Sequence, residues 1–274
     1  MHQYIYSHMA GPWYWVHDAA DGVHCPREWW HGCDASCHPH PQAVAVTGHK
    51  DGFGSCFKAQ LETLAFARAH CLHYQFLPFT QVSHGSGKNI TKVISFTGLK
   101  SDTGITNHTR VHVWNPNAPQ NFAWLYTPGV RKEAREMYFS TPKPDPCVCD
   151  VAIHIRRGDV KKGFRFTANE KYVQLLDILA HHRPEAKIVI YSTGSSDQFQ
   201  SIMKDREHVR LFLFPDFEMA FHAMVMAPLL ITASSAFSKA AAMLRTNAYT
   251  HCPPPNIVAV TEACLSRLNW GRDF

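Results

Sequence analysis

A short apolar segment that ends abruptly in charge constrains the fold of this chain more than any other feature. Residues 151–155 read Val-Ala-Ile-His-Ile, and Arg-Arg-Gly-Asp follows at residues 156–159. A run this apolar and β-branched is typical of a strand buried on both faces of a parallel sheet. Open α/β sheets bind ligands at the carboxyl ends of their strands, and arginine forks grip phosphate oxygens. The segment therefore predicts a buried strand followed by an anion site, most simply for a diphosphate, with a solvated Arg-Asp pair as the alternative.

A regular alternation of apolar runs and amphipathic segments follows this strand. The predicted helices cover residues 169–181, 198–205, 218–226 and 239–245, and the further predicted strands cover residues 186–191, 209–214, 229–232 and 257–260. Strands and helices that alternate at this spacing are typical of a Rossmann-like parallel sheet. The chain is therefore predicted to have an α/β fold, with the parallel sheet clearest in its C-terminal half.

The N-terminal half carries a similar pattern. A predicted strand at residues 43–47 leads into a loop that contains Gly52 and Gly54, and then into a helix within residues 55–77, which lack glycine and proline. The amides of such a loop and of the helix start can hold an anion or a sugar hydroxyl, although a simple tight turn has the same composition. A strand at residues 74–79 would complete the beginning of a βαβ unit.

Further elements precede a proline-rich boundary. Residues 82–104 are predicted to be a surface loop, residues 109–114 a strand, and residues 130–138 a helix whose charges face solvent. Prolines at positions 142, 144 and 146 then interrupt regular structure. The predicted organisation is an irregular segment at residues 1–45, an N-terminal Rossmann-like domain at residues 46–146 and a C-terminal Rossmann-like domain at residues 147–274.

The overall charge restricts the partners of the chain. Its 274 residues carry a formal net charge of +5, with 18% charged residues and no run of Lys or Arg. Such a balance suits an anionic substrate, and nucleic acid is not expected as a partner. No segment is long and apolar enough to be expected as a membrane span.

Cysteines and glycosylation sequons bear on the compartment. The nine cysteines leave at least one unpaired if all pairing is within the chain. Asn89-Ile-Thr91 and Asn107-His-Thr109 match the N-glycosylation pattern. No signal peptide is visible at the start of the sequence. These features favour the lumen of the endoplasmic reticulum or Golgi, with a targeting segment missing from this sequence, and a cytoplasmic location otherwise.

Two further segments have compositions that fit a binding site. Residues 31–40 contain Cys33, Cys37 and three histidines, which could ligate zinc, although a local disulfide or plain surface histidines explain the same composition. Residues 232–238 read Thr-Ala-Ser-Ser-Ala-Phe-Ser between a predicted strand and a predicted helix. Hydroxyls and amides at a helix start form a phosphate cradle, whereas a simple N-cap needs only one serine.

The sequence resembles a known superfamily at these residues. His154-Ile-Arg-Arg-Gly-Asp159 resembles the His-x-Arg-Arg-x-Asp motif of the GT-B fucosyltransferases, the superfamily that holds the α1,2-, α1,6- and protein O-fucosyltransferases. Residues 232–238 are similar to the later Ser-Ser-Phe-Ser segment of that superfamily, and Asp51-Gly-Phe-Gly54 is similar to its N-terminal glycine loop. The resemblance is clearest over residues 148–260.

The resemblance implies two Rossmann-like domains and an inverting, metal-independent transfer of fucose. GDP-fucose is the implied donor substrate, a hydroxyl of a glycan or glycoprotein is the implied acceptor, and no cofactor is implied. Arg156 is the implied catalytic residue, because it would neutralise the departing diphosphate. Arg157 and Asp159 would brace its loop, and the serines of residues 232–238 would contact the phosphates. The full set of implied donor-binding residues is Gly52, Gly54, His154, Arg157, Asp159, Glu218, Ser234, Ser235, Phe237 and Ser238.

The sequence also departs from the superfamily. Where an acidic residue often helps to recognise guanine, this chain has Met219, with Glu218 one position away. The donor nucleotide therefore stays open. Asp51, Glu62 and Asp102 are equal candidates for the catalytic base. Two other functions stay open as well: a non-catalytic nucleotide-sugar or glycan-binding protein of the same fold, and a zinc-dependent enzyme that uses residues 31–40.

Overall fold

The chain divides into two compact units, Met1–Thr141 and Pro142–Phe274. The computed structural model describes residues 4–5, 42–46, 51–83, 89–106, 109–114, 127–146, 148–160, 163 and 165–245. The predicted zinc segment at residues 31–40 and the predicted strand at residues 257–260 lie outside the described residues. The predicted domain boundary after residue 146 stays a prediction.

The first unit contains a parallel sheet with helices. Its elements are β1 (Tyr4–Ile5), β2 (Gln42–Val46), α1 (Phe53–Ala69), β3 (His73–Tyr74), α2 (Ile90–Thr97), β4 (Arg110–Trp114) and α3 (Pro128–Phe139). The four strands pair in parallel in the order β1-β4-β2-β3. Helix α1 contacts β2, β3 and α3, and its Phe57, Leu61 and Leu64 are buried. The predicted βαβ beginning is therefore confirmed.

Two predicted elements of this unit are wrong, and a third expectation is not decided. The irregular segment expected at residues 1–45 stays a prediction, although Tyr4–Ile5 within it form β1 and pair with β4. Residues 82–104 were expected to be a loop, yet they contain α2, which begins where Asn89 accepts hydrogen bonds from the backbone N–H of Thr91 and Lys92. The strand expected at residues 74–79 is only the two residues of β3. Such short elements depend on strand partners and caps, which do not produce a hydrophobic period.

A salt-bridge network joins three segments of the first unit. The Nη1 and Nη2 atoms of Arg68 in α1 donate to Oδ2 and Oδ1 of Asp102, at 2.8 and 2.7 Å. Its Nε and Nη2 donate to Glu133 in α3, at 2.9 and 2.5 Å. The charges of α3 were predicted to face solvent, and for Glu133 this is wrong. Since each Arg–carboxylate pair is bidentate, the network fixes α1, α3 and the chain after α2 in one arrangement.

The second unit contains a second parallel sheet. Its elements are β5 (Val151–Ile155), α4 (Asn169–His182), β6 (Ile188–Ser192), a 3₁₀ helix (Ser196–Phe199), α5 (Gln200–Met203), β7 (Val209–Leu213), α6 (Phe217–Met226), β8 (Leu229–Ile231) and α7 (Ala236–Met243). The order is β7-β6-β5-β8, and every pairing is parallel. β5 lies between two strands, and four of its five residues are buried. The predicted parallel α/β fold is confirmed.

The helix boundaries of this unit differ from the prediction at two places. The helix predicted at residues 198–205 is a 3₁₀ turn followed by the short α5. The helix predicted at residues 239–245 starts three residues earlier, since α7 is Ala236–Met243. The earlier start places residues 236–238 of the predicted serine turn inside the first turn of the helix.

A buried arginine closes the C-terminal end of α6. Arg245 is 4% exposed. Its Nη1 donates to the carbonyls of Met224 and Val225 at 2.8 and 3.3 Å, and its Nη2 donates to the carbonyl of Pro228 at 2.9 Å. The last carbonyls of a helix have no partner within the helix and carry partial negative charge, so a guanidinium satisfies both needs.

Two further findings concern the helices and the cysteines. Within the residues that the structure describes, none of the helices combines the length and apolarity that a membrane crossing requires. Cys71 is disulfide-bonded. Cys56 and Cys149 are buried and lie outside disulfides.

Candidate functional site

The candidate site lies at the carboxyl edge of the sheet in the second unit. Because β5 to β8 all run parallel, the residues that follow them meet at one edge. These residues begin with Arg156 after β5, Thr193 after β6, Phe214 after β7 and Thr232 after β8. The edge thus carries the Arg-Arg-Gly-Asp segment and the serine turn on neighbouring strands.

Arg156 presents its guanidinium at this edge. Its Nη2 donates to Oδ2 of Asp159 at 2.7 Å, and the two side chains are 22% and 46% exposed. A second contact runs from Nε to Oδ1 at 3.4 Å. The Arg–Asp pair offered as the alternative interpretation is therefore present. A two-pronged contact with carboxylate uses the same fork geometry that arginine uses for phosphate, so an incoming anion would compete with Asp159.

Arg157 is a structural brace. Its side chain is 1% exposed and donates to the carbonyls of Arg156 and Thr167 at 3.0 and 2.8 Å, and to Oδ1 of Asn169 at 2.7 Å. The guanidinium also lies 4.2 Å from the ring centre of Phe166. Burial lowers the pKa of Arg157, while Tyr172 opposes that shift. A guanidinium that is buried and bonded to three protein acceptors holds the loop rather than a ligand.

Asn169 extends this brace to the next loop. Its Nδ2 donates to the carbonyl of Gln198 at 2.8 Å and to Oγ of Ser201 at 3.1 Å. Through Asn169, Arg157 is joined to the turn that follows β6. Asn169 was not among the predicted site residues, because a polar residue at the start of a helix is common in sequences and does not indicate a partner.

Two glycines bring the loops after β5 and β6 together. Gly158 has φ +74°, and a Cβ there would lie 2.9 Å from Oγ1 of Thr193. Gly194 has φ +109°, and a Cβ there would lie 3.3 Å from the backbone N of Gly158. Oγ1 of Thr193 donates to the carbonyl of Arg157 at 3.2 Å. Both glycines have a positive φ and leave no room for a side chain. The loop after β6 therefore fixes the backbone of the loop that carries Arg156.

His154 lies beneath Arg156 as a neutral side chain. Its Nδ1 is buried and has no hydrogen-bond partner within the described part of the chain, although part of the residue reaches solvent. Burial, and then the charge of Arg156, lower the pKa of His154 to about 4. The ring centre lies 5.7 Å from that of Phe237 in α7. His154 and Phe237, both predicted to bind the donor, are thus brought into contact.

The serine turn holds itself together. Oγ of Ser235 accepts from the backbone N–H of Phe237 at 3.3 Å and caps α7. Oγ of Ser238 is fully buried, accepts from the N–H of Ala233 at 3.3 Å and donates to the carbonyl of Ser235 at 3.5 Å. A fully buried hydroxyl cannot touch a ligand, so any help from Ser238 to a phosphate is indirect. Ser234 is the serine of the turn with the greater exposure.

Glu218 lies in the first turn of α6 and is 7% exposed. Its charge faces Lys143 of the proline-rich segment. Burial lowers the pKa of Lys143 to about 8, and the charge of Glu218 opposes that shift. Glu218 therefore lies near the half-buried cation of Lys143, which is a different environment from the sheet edge around Arg156.

The predicted residues of the first unit are described separately. Gly52 precedes α1 and pairs with Ser83 in an isolated bridge, and Gly54 is buried inside α1. Of the three candidate bases, Glu62 is paired with Lys58, and Asp102 binds Arg68. Desolvation raises the pKa of Asp102, but the hydrogen bonds from Arg68 and Tyr74 outweigh it and the net shift is downward.

Asp51 is the exposed candidate base. Its Oδ1 accepts from the N–H of Gly52 at 2.7 Å, and the residue is exposed at the start of α1. A proton acceptor for a substrate must be reachable, and Asp51 meets this condition better than the other two.

Phe214 is a feature of the edge that the sequence did not indicate. It is 69% exposed and has φ +51°, a conformation uncommon for a bulky residue. Its N–H donates to the carbonyl of Ser192 at 3.0 Å, which holds Phe214 at the end of β7.

Among the described residues, no His, Cys, Asp or Glu side chains form a group of three that could hold a metal ion.

Comparisons with known proteins give structural similarity only. No family model matches the chain, and no curated protein matches it. The chain is similar to the E. coli heptosyltransferase WaaC with ADP, at 9% identity over 80% of this chain and 90% of that chain, with a TM-score of 0.45. It is similar to a mutant of Arabidopsis thaliana FUT1 in complex with GDP, at 10% identity over 80% and 72% of the two chains, with a TM-score of 0.41. It is also similar to POFUT1 in complex with GDP, at 14% identity over 78% and 97%, with a TM-score of 0.39. These three proteins are GT-B glycosyltransferases.

Proposed function

We propose that this chain is an inverting, metal-independent glycosyltransferase that transfers fucose from GDP-fucose to a hydroxyl of a glycan or glycoprotein. The observation that carries the proposal is the half-buried guanidinium of Arg156 at the carboxyl edge of a parallel sheet, on a loop that buried Arg157 braces. The choice of GDP-fucose as the donor comes only from the resemblance of residues 154–159 and 232–238 to the fucosyltransferase motifs.

In the proposed reaction an acceptor oxygen attacks the anomeric carbon from the face opposite the nucleotide. The bond from this carbon to the diphosphate breaks, and GDP leaves with the bonding electrons. Arg156 exchanges Asp159 for the diphosphate oxygens on which charge builds up. A positioned cation is most effective where charge develops in the transition state, and here it takes the part that a metal has in other transferases.

The first test is binding of GDP to the purified chain, measured by calorimetry, with UDP, ADP and CDP alongside. We expect GDP to bind most tightly. Arg156→Ala should weaken GDP binding at least tenfold, because it removes the guanidinium that directly follows β5 at the carboxyl edge of the sheet. The matched control is Arg183→Ala, since Arg183 pairs with Glu185 at the other end of the sheet, between α4 and β6. Equal effects of the two variants, or no preference for GDP, would refute the assignment.

The proton of the acceptor hydroxyl passes to a carboxylate, and Asp51 is the exposed one among the three candidates. The variant Asp51→Asn keeps the oxygen that accepts from Gly52 and tests this candidate. Loss of sugar transfer with an unchanged affinity for GDP would assign the role to Asp51. Transfer is measured by mass spectrometry of mixed glycan acceptors. A chain that binds GDP-fucose, transfers nothing and hydrolyses nothing would instead be a non-catalytic nucleotide-sugar-binding protein.

We also propose that the chain works in an oxidising compartment such as the lumen of the endoplasmic reticulum or Golgi. The disulfide at Cys71 supports this location, because such bonds persist where thiols are not kept reduced. Peptide mass mapping under non-reducing conditions, on protein from its native cells, tests it. Recovery of Cys71 only as a free thiol would contradict the proposal.

A further inference from the structure

The start of α2 carries a sequence and a geometry that together suit a covalent modification. Asn89-Ile-Thr91 matches the N-glycosylation pattern, with a residue other than proline in the middle. Both Asn89 and Thr91 are exposed in the folded chain. A glycan on this side chain would therefore project into solvent.

The amide of Asn89 is used on one side only. Its Oδ1 accepts from the N–H of Thr91 at 2.9 Å and from the N–H of Lys92 at 3.4 Å, and so caps the helix. Its Nδ2 makes no hydrogen bond to any described residue. Asn169 shows the opposite situation, because its Nδ2 is bound to Gln198 and Ser201. The nitrogen that a glycan would occupy is thus free at Asn89 and occupied at Asn169.

We propose that Asn89 carries an N-linked glycan in the mature protein. The donor would be an oligosaccharide linked to a lipid diphosphate. Nδ2 attacks the anomeric carbon of the first sugar, the bond from that carbon to the diphosphate breaks, and the lipid diphosphate leaves with the electron pair. Nδ2 gives up one proton to a base of the transferring enzyme. No oxidation or reduction is involved.

The glycan is compatible with the fold because the product is still an amide. Oδ1 remains a carbonyl oxygen and continues to accept from Thr91 and Lys92, so the cap of α2 is retained. The buried residues of α2, which are Val93, Phe96 and Thr97, lie further along the helix. The disulfide at Cys71 in the same unit is a separate observation that points to the compartment in which this modification takes place.

The experiment uses the full chain, led by a cleavable secretion signal and secreted from eukaryotic cells. The second sequon is removed by Asn107→Gln, so that any remaining N-glycan on a sequon belongs to Asn89. We expect treatment with a peptide N-glycosidase to increase the electrophoretic mobility. It should also convert Asn89 to Asp in the corresponding peptide, which marks the site by mass.

Variants of Thr91 separate the modification from the cap. Thr91→Val destroys the sequon and keeps every atom of the Asn89 cap, so the glycan should be lost while the protein is still secreted. Thr91→Ser restores the pattern and should restore the glycan. Asn89→Asp keeps the capping oxygen without an acceptor nitrogen, which tests whether the cap alone supports folding. Secreted protein whose Asn89 peptide is entirely unmodified would overturn the proposal.

Discussion

His154 shows how a single buried ring can make the protein sensitive to acid. The pKa of this side chain is about 4 in the folded chain, below the ordinary value of 6.5, so protonation favours the unfolded chain. Above pH 6.5 both states hold the neutral ring, and His154 adds no pH dependence. As the pH falls from 6.5 to 4, the unfolded chain takes up the proton first and the free energy of unfolding falls. Below pH 4 the dependence ends.

We therefore expect His154→Gln to flatten the dependence of stability on pH between 6.5 and 4. The difference from the unmodified chain should be on the order of 2 kcal/mol, because one pKa unit corresponds to about 1.4 kcal/mol and the ring is partly exposed. Denaturant unfolding at a series of pH values measures it. His208→Gln is the matched control, since His208 is exposed in the same unit. Parallel curves for the unmodified chain and His154→Gln would contradict the expectation.

Arg156 and Arg157 are adjacent in sequence and have opposite roles. Arg156 is half-buried and paired with Asp159, whereas Arg157 is 1% exposed and donates to three protein acceptors. Alternation along the chain after a strand turns one side chain outward and the next inward. The residue types predicted an anion site, but only the contacts show which of the two arginines can serve it. The same limit applies to Ser238, whose hydroxyl is enclosed by its own turn.

The loops after β5 and β6 act as one element, and their glycines allow a test. Gly158→Ala should destabilise the chain by about 1–2 kcal/mol from the left-handed backbone alone. The contact of the new Cβ with Thr193 adds a further cost. Gly163→Ala is the control, because Gly163 has φ +90° and nothing lies within 4 Å of its added Cβ.

The difference between these two variants isolates the contact between the loops. Unfolding by denaturant should show a larger loss for Gly158→Ala, and its affinity for GDP should fall because the loop that carries Arg156 has to move. Gly163→Ala should lose stability only. Identical losses in both variants would mean that the two loops do not constrain each other.

The predictability of the elements follows from what determines each of them. The strands β5 and β6 were predicted within two residues because a strand buried on both faces is a continuous apolar run. The two-residue strands β1 and β3 carry no such run, since they exist through pairing with β4 and β2. Similarly, the cap at Asn89 was read as part of a loop, because cap residues are also loop residues.

The candidate site was predictable to the same degree and for the same reason. Arg156 and Gly158 follow an apolar strand, which places them at a ligand-binding edge whatever the rest of the fold. Asn169 and Arg245 both donate to backbone carbonyls that are distant in sequence, and no local pattern encodes such partners. Phe214 was predicted to end a strand, and its exposure depends on a positive φ angle that the sequence pattern does not predict.

For the chain as a whole, binding of a nucleoside diphosphate should slow amide hydrogen exchange at the carboxyl edge of the sheet in the second unit. We expect GDP to slow amide hydrogen exchange at residues 155–160 and 232–238, which flank Arg156 and form the serine turn. The reason is that bound ligand removes local opening of the loops it contacts. Exchange measured on the full chain with and without GDP, followed by peptide mass analysis, gives the answer. If GDP slowed exchange only in other segments, the nucleotide would bind elsewhere and the proposed location of the site would be wrong.

Arg245 sets a practical limit on how this protein can be shortened. Three carbonyls at the end of α6 and before β8 depend on its guanidinium, and α7 lies between them and Arg245 in sequence. A truncation that stops before residue 245 would leave these buried carbonyls without a donor, at a cost of about 1–3 kcal/mol for each unsatisfied group. Any minimal version of the second unit made for crystallography or library screening should therefore retain Arg245.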